Sequence, residues 1–321
     1  MITVEVLKKV VDQYNGDDST IKLLGGFNNS VYEFVINNQS FVIKFFCPSQ
    51  RDKSYIKGEL DWIIYLSEKG MKVAKPAFGI EGNYIHEIQR DKGVYYYVLF
   101  ERVKGQFIDD LGWDNKLIES WGQAMGRLHT LAKNYKVSDD AKIYSWFETD
   151  IITTLPSSDK VLIKWRQYIQ RLKSLPTDKN CYGIIHNDLH HKNLYFENEE
   201  VILFDFGDCE HSWFIYDIAI ALYHAIQGYP AVNEGERLEF ANRFLKGFLK
   251  GYKLENTMED HWLKELNFFL DYRQLYSYLY LLMHLDRKNI EGKLKNYLEN
   301  MKYRIEKGIP YLKGFNPQAV I

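Results

Sequence analysis

The stretch that decides the fold reads Ile184-Ile185-His186-Asn187-Asp188-Leu189-His190-His191-Lys192-Asn193. Its apolar, β-branched start predicts a strand, and the polar residues that follow predict a loop carrying Asp188 and Asn193. A second apolar strand is predicted at residues 201–204, and it ends at Asp205-Phe206-Gly207-Asp208. Two strand ends in one hairpin-like unit should bring Asp188, Asn193 and Asp205 close together.

Two carboxylates and an amide in this arrangement suit phosphoryl transfer. One carboxylate orients the attacking hydroxyl or accepts its proton, while hard oxygen ligands hold Mg²⁺ across the nucleotide phosphates. We therefore predict Asp188 as the catalytic residue, and Asn193 and Asp205 as the metal ligands. The predicted cofactors are ATP and Mg²⁺.

A lysine inside an apolar strand, in Val42-Ile43-Lys44-Phe45, is the second signal. A buried ammonium needs a partner, and Glu59 on the next predicted helix is well placed to supply one. Taken alone, the pair is better interpreted as a surface lysine and an unrelated glutamate. Because the downstream loop is present, we favour the interpretation that Lys44 contacts the nucleotide phosphates and that Glu59 holds it.

A glycine-containing turn is predicted between two early strands, where residues 25–32 read Gly-Gly-Phe-Asn-Asn-Ser-Val-Tyr. Backbone amides and small side chains in such a turn are suited to covering phosphates. A Gly-Gly pair in a hairpin is more often only a turn, so this signal is weak by itself. The candidate nucleotide-binding residues of this turn are Gly25, Gly26, Asn28 and Ser30.

Hydrophobic periodicity divides the chain into two regions. Up to about residue 103, a helix at residues 3–14 is followed by short strands and one substantial helix near residues 56–70. Beyond residue 105, long helical patterns dominate, interrupted by the strands around Asp188. Six helices are predicted, at roughly residues 114–133, 158–173, 216–228, 234–252, 259–286 and 291–307. We predict an α+β fold with a small sheet-rich lobe, residues 1–103, and a larger helical lobe, residues 104–321.

The spacing His186-x-Asp188-x₄-Asn193, followed by Leu203-Phe204-Asp205-Phe206-Gly207-Asp208 and Tyr216-Asp217-Ile218-Ala219, resembles the aminoglycoside phosphotransferase/choline kinase-like superfamily. These relatives of protein kinases phosphorylate hydroxyl groups of small molecules. The resemblance runs from about residue 20 to about residue 225. It implies a two-lobed, protein-kinase-like fold, with an antiparallel sheet in the nucleotide-binding N-terminal lobe and catalytic and substrate-binding residues in the helical C-terminal lobe.

The resemblance also assigns individual residues. The superfamily's hinge matches residues 99–103, which adds Glu101 and Val103 to the candidate nucleotide-binding residues. We expect a hinge strand at about residues 101–105. Asn187 departs from the pattern, because glycine is frequent after the loop histidine in this superfamily. Since Asn187 is not a ligand, we expect this departure to change little.

Several neighbours of the loop have two interpretations each. His186 is interpreted as a structural histidine that bonds the loop backbone rather than as a catalytic acid. Asp217 is expected to place a helix N-terminus or to support the loop, whereas Asp208 is equally a second metal ligand or a cap. Residues 271–273 could face a substrate, although core packing explains most of the aromatic run around them.

Three other functions agree with parts of the sequence. The three histidines and Asp188 within residues 186–191 could bind zinc, but a zinc metallohydrolase leaves Lys44 unexplained. A catalytically silent pseudokinase would lack the base, a metal ligand or the strand lysine, and all are present. Phosphorylation of protein Ser/Thr is the main alternative, although the short segment from Asp208 to Asp217 leaves little peptide-binding surface.

Composition limits the partners. The 321 residues are 46% hydrophobic and 26% charged, and the net charge of −2 gives no electrostatic case for nucleic acid or anionic membranes. Three scattered cysteines favour a reducing compartment, so a cytoplasmic location is expected. The predicted partner is a small-molecule hydroxyl acceptor, such as an amino alcohol, a hydroxy-amino acid, a sugar or an aminoglycoside-like compound. Four acids could receive a cationic acceptor: Asp109, Asp110, Glu210 and Asp271. The sequence does not indicate the oligomeric state.

Overall fold

The computed structural model describes residues 2–25, 30–47, 51–79, 82–90, 93–148, 159–285 and 290–320. The chain divides into two compact units. The first unit comprises Met1–Gln106, Tyr135–Ile143 and Val201–Gly207. The second unit comprises Phe107–Asn134, Tyr144–Glu200 and Asp208–Ile321.

The first unit contains an antiparallel sheet and two helices. The sheet has the strand order β1-β2-β3-β6-β4, and β5 also pairs with β6. The elements are α1 (Val4–Gln13), β1 (Asp17–Gly25), β2 (Val31–Ile36), β3 (Gln39–Phe46), α2 (Lys53–Glu68), β4 (Pro76–Ala77), β5 (Ile85–Arg90) and β6 (Gly93–Glu101). The predicted helices and strands of this region are confirmed, except that β4 was not foreseen.

One face of this sheet packs on α1. Ile43 and Phe45 belong to the buried cluster on that face, together with Val10 and Val11 of the helix. Successive side chains of a strand point to opposite faces, so Lys44, between Ile43 and Phe45, points away from this core. Strand alternation thus directs the lysine to the face where it meets α2.

The second unit is mainly helical. Its helices are α3 (Ile108–Leu111), α4 (Asn115–Ala132), α5 (Lys160–Leu172), α6 (Phe214–Gly228), α7 (Glu234–Glu255), α8 (His261–His284) and α9 (Gly292–Lys307). Its strands are β7 (Tyr144–Ser145), β8 (Tyr182–Ile185), β9 (Leu194–Glu197) and β11 (Glu210–Trp213), while the chain passes into the first unit within β10 (Glu200–Leu203). The six predicted long helices are confirmed as α4 to α9.

A small sheet fixes the start of the catalytic loop. Its central strand, β11, pairs antiparallel with β8 and parallel with β7. Because β8 is held along its length, the residues after Ile185 leave the sheet at a defined point. Helix α6 begins directly after β11 and has an almost wholly buried surface, so it forms a rigid support beside the loop.

Among the described residues, none of the helices combines the length and the apolar character needed to cross a membrane.

Candidate active site

The loop that carries Asp188 begins where β8 ends. Leu189 is buried and anchors the loop, while Asn187 has a left-handed backbone conformation with a φ of 65°. Asparagine and glycine favour this region because other side chains clash with the backbone there. The Asn187 side chain donates to the backbone oxygen of Asp208 at 3.1 Å, which ties the loop to the segment before β11.

Asp217 of α6 fixes the backbone of the loop. Its carboxylate accepts hydrogen bonds from the backbone N–H groups of His186 and Asn187, both at 3.0 Å. The carboxylate is fully buried, so these donors replace its hydration. The expectation that Asp217 supports the loop is confirmed. Trp213 occupies the N-cap position of α6, and its side chain makes no capping hydrogen bond.

A chain of buried side chains continues from Asp217 to α7. Nε2 of His129 lies 3.1 Å from the Asp217 carboxylate, and Nδ1 lies 2.9 Å from the Tyr252 hydroxyl. Since the carboxylate can only accept, Nε2 carries the proton and Nδ1 accepts from Tyr252. Burial lowers the pKa of His129, which agrees with a neutral ring. The Tyr252 oxygen in turn accepts from Asn256 at 2.9 Å.

Both oxygens of the Asp188 carboxylate have partners in the second unit. Oδ1 accepts from Nη2 of Arg273 at 2.9 Å, and Oδ2 accepts from Nδ2 of Asn193 at 3.1 Å. Nε2 of His190 lies 3.4 Å from Oδ2. Burial alone would raise the pKa of Asp188, but the His190 hydrogen bond and the Arg273 charge outweigh burial and hold the pKa below its usual value.

His190 presents its ring proton to Asp188. The backbone N–H of Lys192 donates to Nδ1 of His190 at 3.0 Å, so Nδ1 is an acceptor and the proton of a neutral ring lies on Nε2. Nε2 is the nitrogen that faces Asp188. The neighbouring His191 instead packs on Trp113, with the ring centroids 5.5 Å apart.

Arg273 and His224 belong to this site, and the sequence did not identify either role. Besides Asp188, Arg273 donates to the backbone oxygen of Asn187 at 3.2 Å and lies 3.0 Å from Nε2 of His224. Arg273 comes from α8 and His224 from α6, both far along the chain from the loop. The expectation that residues 271–273 could face a substrate was the nearest signal.

In the first unit, Lys44 pairs with two carboxylates. Its Nζ lies 2.9 Å from Oδ1 of Asp205 and 3.4 Å from Oε1 of Glu59. Arg51 donates to Oε2 of Glu59 at 2.6 Å and also to the backbone oxygen of Gly207. The predicted contact between Lys44 and Glu59 is confirmed, and Arg51 is a second cation at Glu59 that the sequence did not reveal.

The charges of this group compensate one another. Burial alone would lower the pKa of Lys44, but the carboxylates of Asp205 and then Glu59 outweigh burial, so the pKa lies above its usual value. Lys44 is therefore an ammonium at every physiological pH. Two cations face two carboxylates, which is the pairing that buried charges need.

The backbone near Asp205 is shaped for the contact with Lys44. Asp205 has a φ of 60°, a conformation that is uncommon outside glycine and that clusters at functional sites. A Cβ at Gly207 would lie 2.6 Å from Nζ of Lys44. A side chain at this position would displace the ammonium, so the Asp-Phe-Gly sequence has a steric reason for its glycine.

The glycine-containing turn is only partly described. Gly26 and Asn28 lie outside the described residues. Gly25 ends β1 with a φ of 135°, and the backbone oxygen of Ser30 accepts from the N–H of Phe45 at 2.9 Å. Contact of these four residues with a nucleotide stays a prediction.

The predicted hinge differs from a continuous strand. Glu101 is the last residue of β6, and its N–H donates to the backbone oxygen of Lys75 at 2.8 Å. Val103 and its neighbours form no strand, so the expectation of a hinge strand reaching Gly105 is wrong beyond Glu101. Gly105 has a φ of 148°, which strands do not use. Binding of nucleotide by Glu101 and Val103 stays a prediction.

The structure brings the predicted residues together in two groups, one within each unit. Lys44, Glu59 and Asp205 form the group of the first unit, and Asp188 and Asn193 form the group of the second. Nδ2 of Asn193 donates to the backbone oxygen of Asp188 at 2.9 Å as well as to its carboxylate. Because the amide nitrogen is engaged, the amide oxygen of Asn193 is the atom that can bind another ligand.

The loop holds a carboxylate with fixed partners, and the strand lysine pairs with two acids. The family comparison agrees with this site: residues 20–261 match the phosphotransferase enzyme family. The chain belongs to this family. Amicoumacin kinase from Bacillus subtilis (strain 168) is 30% identical over 323 residues, which cover 99% of this chain and 96% of that protein.

Solved structures of two kinases are also similar. The amicoumacin kinase hAmiN in complex with AMP-PNP, Ca²⁺ and Ami has a TM-score of 0.92 and 32% identity, covering 99% of this chain and 96% of its own. The microcompartment-associated aminopropanol kinase has a TM-score of 0.72 and 17% identity, covering 95% of both chains. The second likeness shows the fold alone.

The predicted superfamily, the enzyme class and the fold class are therefore confirmed: this phosphotransferase family member is a kinase with an α+β, two-lobed, protein-kinase-like fold. Its division between residues 103 and 104 stays a prediction. The first compact unit also takes in residues 135–143 and 201–207, because the chain returns to that unit twice.

Of the four acids proposed to receive a cationic acceptor, Asp110 is exposed on α3, whereas the other three are already partnered or buried. Asp109 already pairs with Lys192, and Asp271 accepts from the N–H of Tyr311 at 2.6 Å. Burial raises the pKa of Glu210 to about 8, so its carboxyl is protonated near neutral pH.

Within the described part of the chain, no three His, Cys, Asp or Glu side chains are arranged to hold a metal ion.

Proposed function

We propose that this kinase transfers the γ-phosphoryl group of ATP to a hydroxyl group of a small molecule, with Mg²⁺ as the metal ion. The observation that carries this function is the contact of Lys44 with both Asp205 and Glu59. A fixed ammonium beside a carboxylate is what binding of a metal-bound nucleotide triphosphate requires. The similar kinase hAmiN was solved with AMP-PNP and Ca²⁺, which supports a nucleoside triphosphate and a divalent metal ion as ligands here.

Asn193 and Asp205 are assigned as the magnesium ligands because of the oxygen atoms that each side chain offers. Asp205 offers a carboxylate with 52% of its side chain exposed, and Asn193 offers its amide oxygen. Magnesium prefers hard oxygen ligands and usually takes only one or two from the protein, with water and substrate phosphates completing the shell. When bound, the ion would neutralise charge on the phosphates.

Lys44 is assigned to the nucleotide phosphates, and Glu59 is assigned to hold the lysine. The Lys44 side chain is 18% exposed, so its ammonium can reach a ligand while the 2% exposed Glu59 stays in place. With the nucleotide bound, the Asp205 carboxylate would hold the metal ion. The other candidates are assigned to the same nucleotide: Gly25, Gly26, Asn28, Ser30, Glu101 and Val103.

Asp188 is assigned to orient the hydroxyl that attacks the γ-phosphorus. Its depressed pKa keeps it ionised, so it can accept a hydrogen bond from the hydroxyl over the whole physiological range. Phosphoryl transfer proceeds through a loose transition state, which needs alignment and charge stabilisation more than a strong base. Holding the hydroxyl in line therefore supplies much of the rate.

The acceptor is assigned to hydroxyl-bearing small molecules, and amicoumacin is the first compound to test. The 30% identity to amicoumacin kinase extends over 99% of this chain, so the acceptor-binding part is covered as well. A screen of ATP consumption should compare amicoumacin with amino alcohols, hydroxy-amino acids, aminoglycosides, sugars and generic protein substrates. Turnover of protein substrates alone would favour the Ser/Thr kinase alternative.

Two alanine variants test the residue roles. Asp188→Ala should abolish turnover and keep the rise in melting temperature that ATP with Mg²⁺ produces, since nucleotide binding does not need the acceptor residue. Asp205→Ala should lose both turnover and that rise. Glu299→Ala, an exposed acid on α9 outside both groups, is the control and should keep both. Normal turnover by Asp188→Ala would show that the assignment of Asp188 is wrong.

A further inference from the structure

We infer that Arg273 is a positioning residue of this kinase, fixing the direction of the Asp188 carboxylate and the backbone that carries it. This role rests on the proposed function of Asp188 as the group that orients the acceptor hydroxyl. Arg273 lies in α8, which begins after the last of the superfamily motifs, Tyr216-Asp217-Ile218-Ala219. It is only 7% exposed, so its charge must be satisfied by groups of the protein.

One guanidinium contacts the loop at two points. Nη2 donates to Oδ1 of Asp188 at 2.9 Å, and Nη1 donates to the backbone oxygen of Asn187 at 3.2 Å. The first bond sets the rotation of the carboxylate, and the second sets the position of the peptide that precedes it. Because the guanidinium is planar and rigid, the two bonds cannot shift independently.

His224 is a further partner of the guanidinium, at the same nitrogen that contacts Asp188. Its Nε2 lies 3.0 Å from Nη2 of Arg273. A guanidinium can only donate, so Nε2 of His224 must be an acceptor and the ring proton must lie on Nδ1. Burial lowers the pKa of His224, and the Arg273 charge lowers it further, so the ring stays neutral. Asp188 is then the carboxylate that balances the charge of Arg273.

The opposite edge of the carboxylate has its own partners. Asn193 donates to Oδ2 at 3.1 Å, and Nε2 of His190 lies 3.4 Å from Oδ2. Arg273 therefore holds one oxygen while loop residues hold the other. Each carboxylate oxygen can accept more than one hydrogen bond, and 25% of the Asp188 side chain remains exposed. A hydroxyl can thus approach a carboxylate whose orientation is already fixed.

The test compares Arg273→Lys and Arg273→Ala with the parent enzyme, using ATP and the acceptor that gives turnover in the screen. A lysine keeps the charge, but a single ammonium cannot reproduce the planar fork that spans two acceptors. We expect kcat to fall about a hundredfold in Arg273→Lys, with KM for ATP unchanged. Guanidinium ion added to Arg273→Ala should restore part of kcat, because it can refill the vacated position.

A matched arginine separates positioning from folding. Arg243 of α7 also ties a helix to a loop, since Nη1 donates to the backbone oxygen of Trp113 at 2.8 Å and to Asn115 at 3.0 Å. Within the described part of the chain, Arg243 makes no hydrogen bond or ion pair with the catalytic loop. Arg243→Lys should lower the melting temperature and leave kcat unchanged when the rate is measured well below melting.

The outcomes are distinct even if Arg273→Ala does not fold. His224→Leu removes the acceptor for Nη2 and keeps Arg273, so it should lower kcat in the same direction and leave KM for ATP unchanged. Full kcat in Arg273→Lys would overturn the role of Arg273, provided that Asp188→Ala is inactive. An active Asp188→Ala would instead remove the proposed function itself. If Arg243→Lys lost as much kcat as Arg273→Lys, the role of Arg273 would be purely structural.

Discussion

The backbone conformation at position 187, at the base of the catalytic loop, restricts which residues can occupy that position. At its φ of 65°, a side chain other than asparagine costs roughly 1–2 kcal/mol, and glycine is unstrained. We expect Asn187→Gly to keep most of the stability and turnover. Asn187→Val should lose about 2 kcal/mol of unfolding free energy and most of kcat, because a shifted backbone moves Asp188. Urea unfolding and steady-state kinetics measure the two effects.

Asn198 is the control for this change. It has a φ of 51°, lies in the exposed turn before β10, and has no part in the loop. Asn198→Val introduces the same kind of backbone strain, so it should lower stability and leave kcat unchanged. If Asn198→Val lost as much turnover as Asn187→Val, general destabilisation would explain both.

Among the elements, α4 and α7 approach each other most closely at glycines. A Cβ at Gly251 would lie 1.8 Å from the backbone oxygen of Glu119, and a Cβ at Gly122 would lie 2.0 Å from the backbone oxygen of Phe248. Backbone atoms cannot move aside as a flexible side chain can. Gly251→Ala should therefore lower the unfolding free energy by about 3 kcal/mol, which differential scanning calorimetry would detect as a lower Tm.

Gly247, one turn earlier on α7, provides the comparison. Its nearest neighbour to a new Cβ is a methyl group of Ile118 at 3.3 Å, which can adjust. Alanine favours a helix over glycine by about 1 kcal/mol, so Gly247→Ala should be neutral or stabilising. Equal losses of Tm in the two variants would contradict the steric explanation.

The elements that the sequence predicted well are those with long periodic patterns. The pattern at residues 234–252 predicted a helix that the structure extends to Glu255. Two short strands, β4 and β11, gave no such pattern. β4 has two residues, and β11 reads Glu-His-Ser-Trp, in which the buried glutamate and serine conceal a central strand. Pairing with β7 and β8 makes β11 a strand, and that pairing is not encoded locally.

The same limit explains which site contacts could be predicted. Asp188 and Asn193 are five positions apart, and strand alternation directs Lys44 toward the helix of Glu59, so local rules suffice. Arg273 follows Asp188 by 85 positions. Nothing in the aromatic sequence around Arg273 indicates which residue it contacts. Arg51 lies in a connection that has no hydrophobic periodicity. Packing of whole elements decides these contacts.

At the scale of the whole molecule, largely buried cations in each unit pair with carboxylates of the same unit. Lys44 and Arg51 face Glu59 and Asp205 in the first unit, and Arg273 faces Asp188 in the second. Such pairs contribute little net stability, since desolvation offsets their attraction, but loss of one partner is costly. The pH dependence of stability should therefore come from buried acids that lack a close cation.

Asp271 of α8 is such an acid. Burial raises its pKa to about 6 from 3.8, while the hydrogen bond from the Tyr311 N–H and the charges of Lys164 and Arg304 only partly oppose burial. The Tyr168 hydroxyl is also close enough to be influenced by Asp271. Between these pKa values the unfolded chain has released a proton that the folded chain retains. Stability is thus lost as pH rises from about 4 to about 6.

Asp271→Asn removes this titration while keeping an oxygen that can accept from Tyr311. Between about pH 4.5 and about pH 7.5, the parent should lose about 2 kcal/mol of unfolding free energy relative to the variant. Urea unfolding of both proteins at several pH values measures the difference, in which contributions from all other groups cancel. A difference that stays constant with pH, or that grows in favour of the parent, would show that Asp271 is ionised in the folded chain throughout this range.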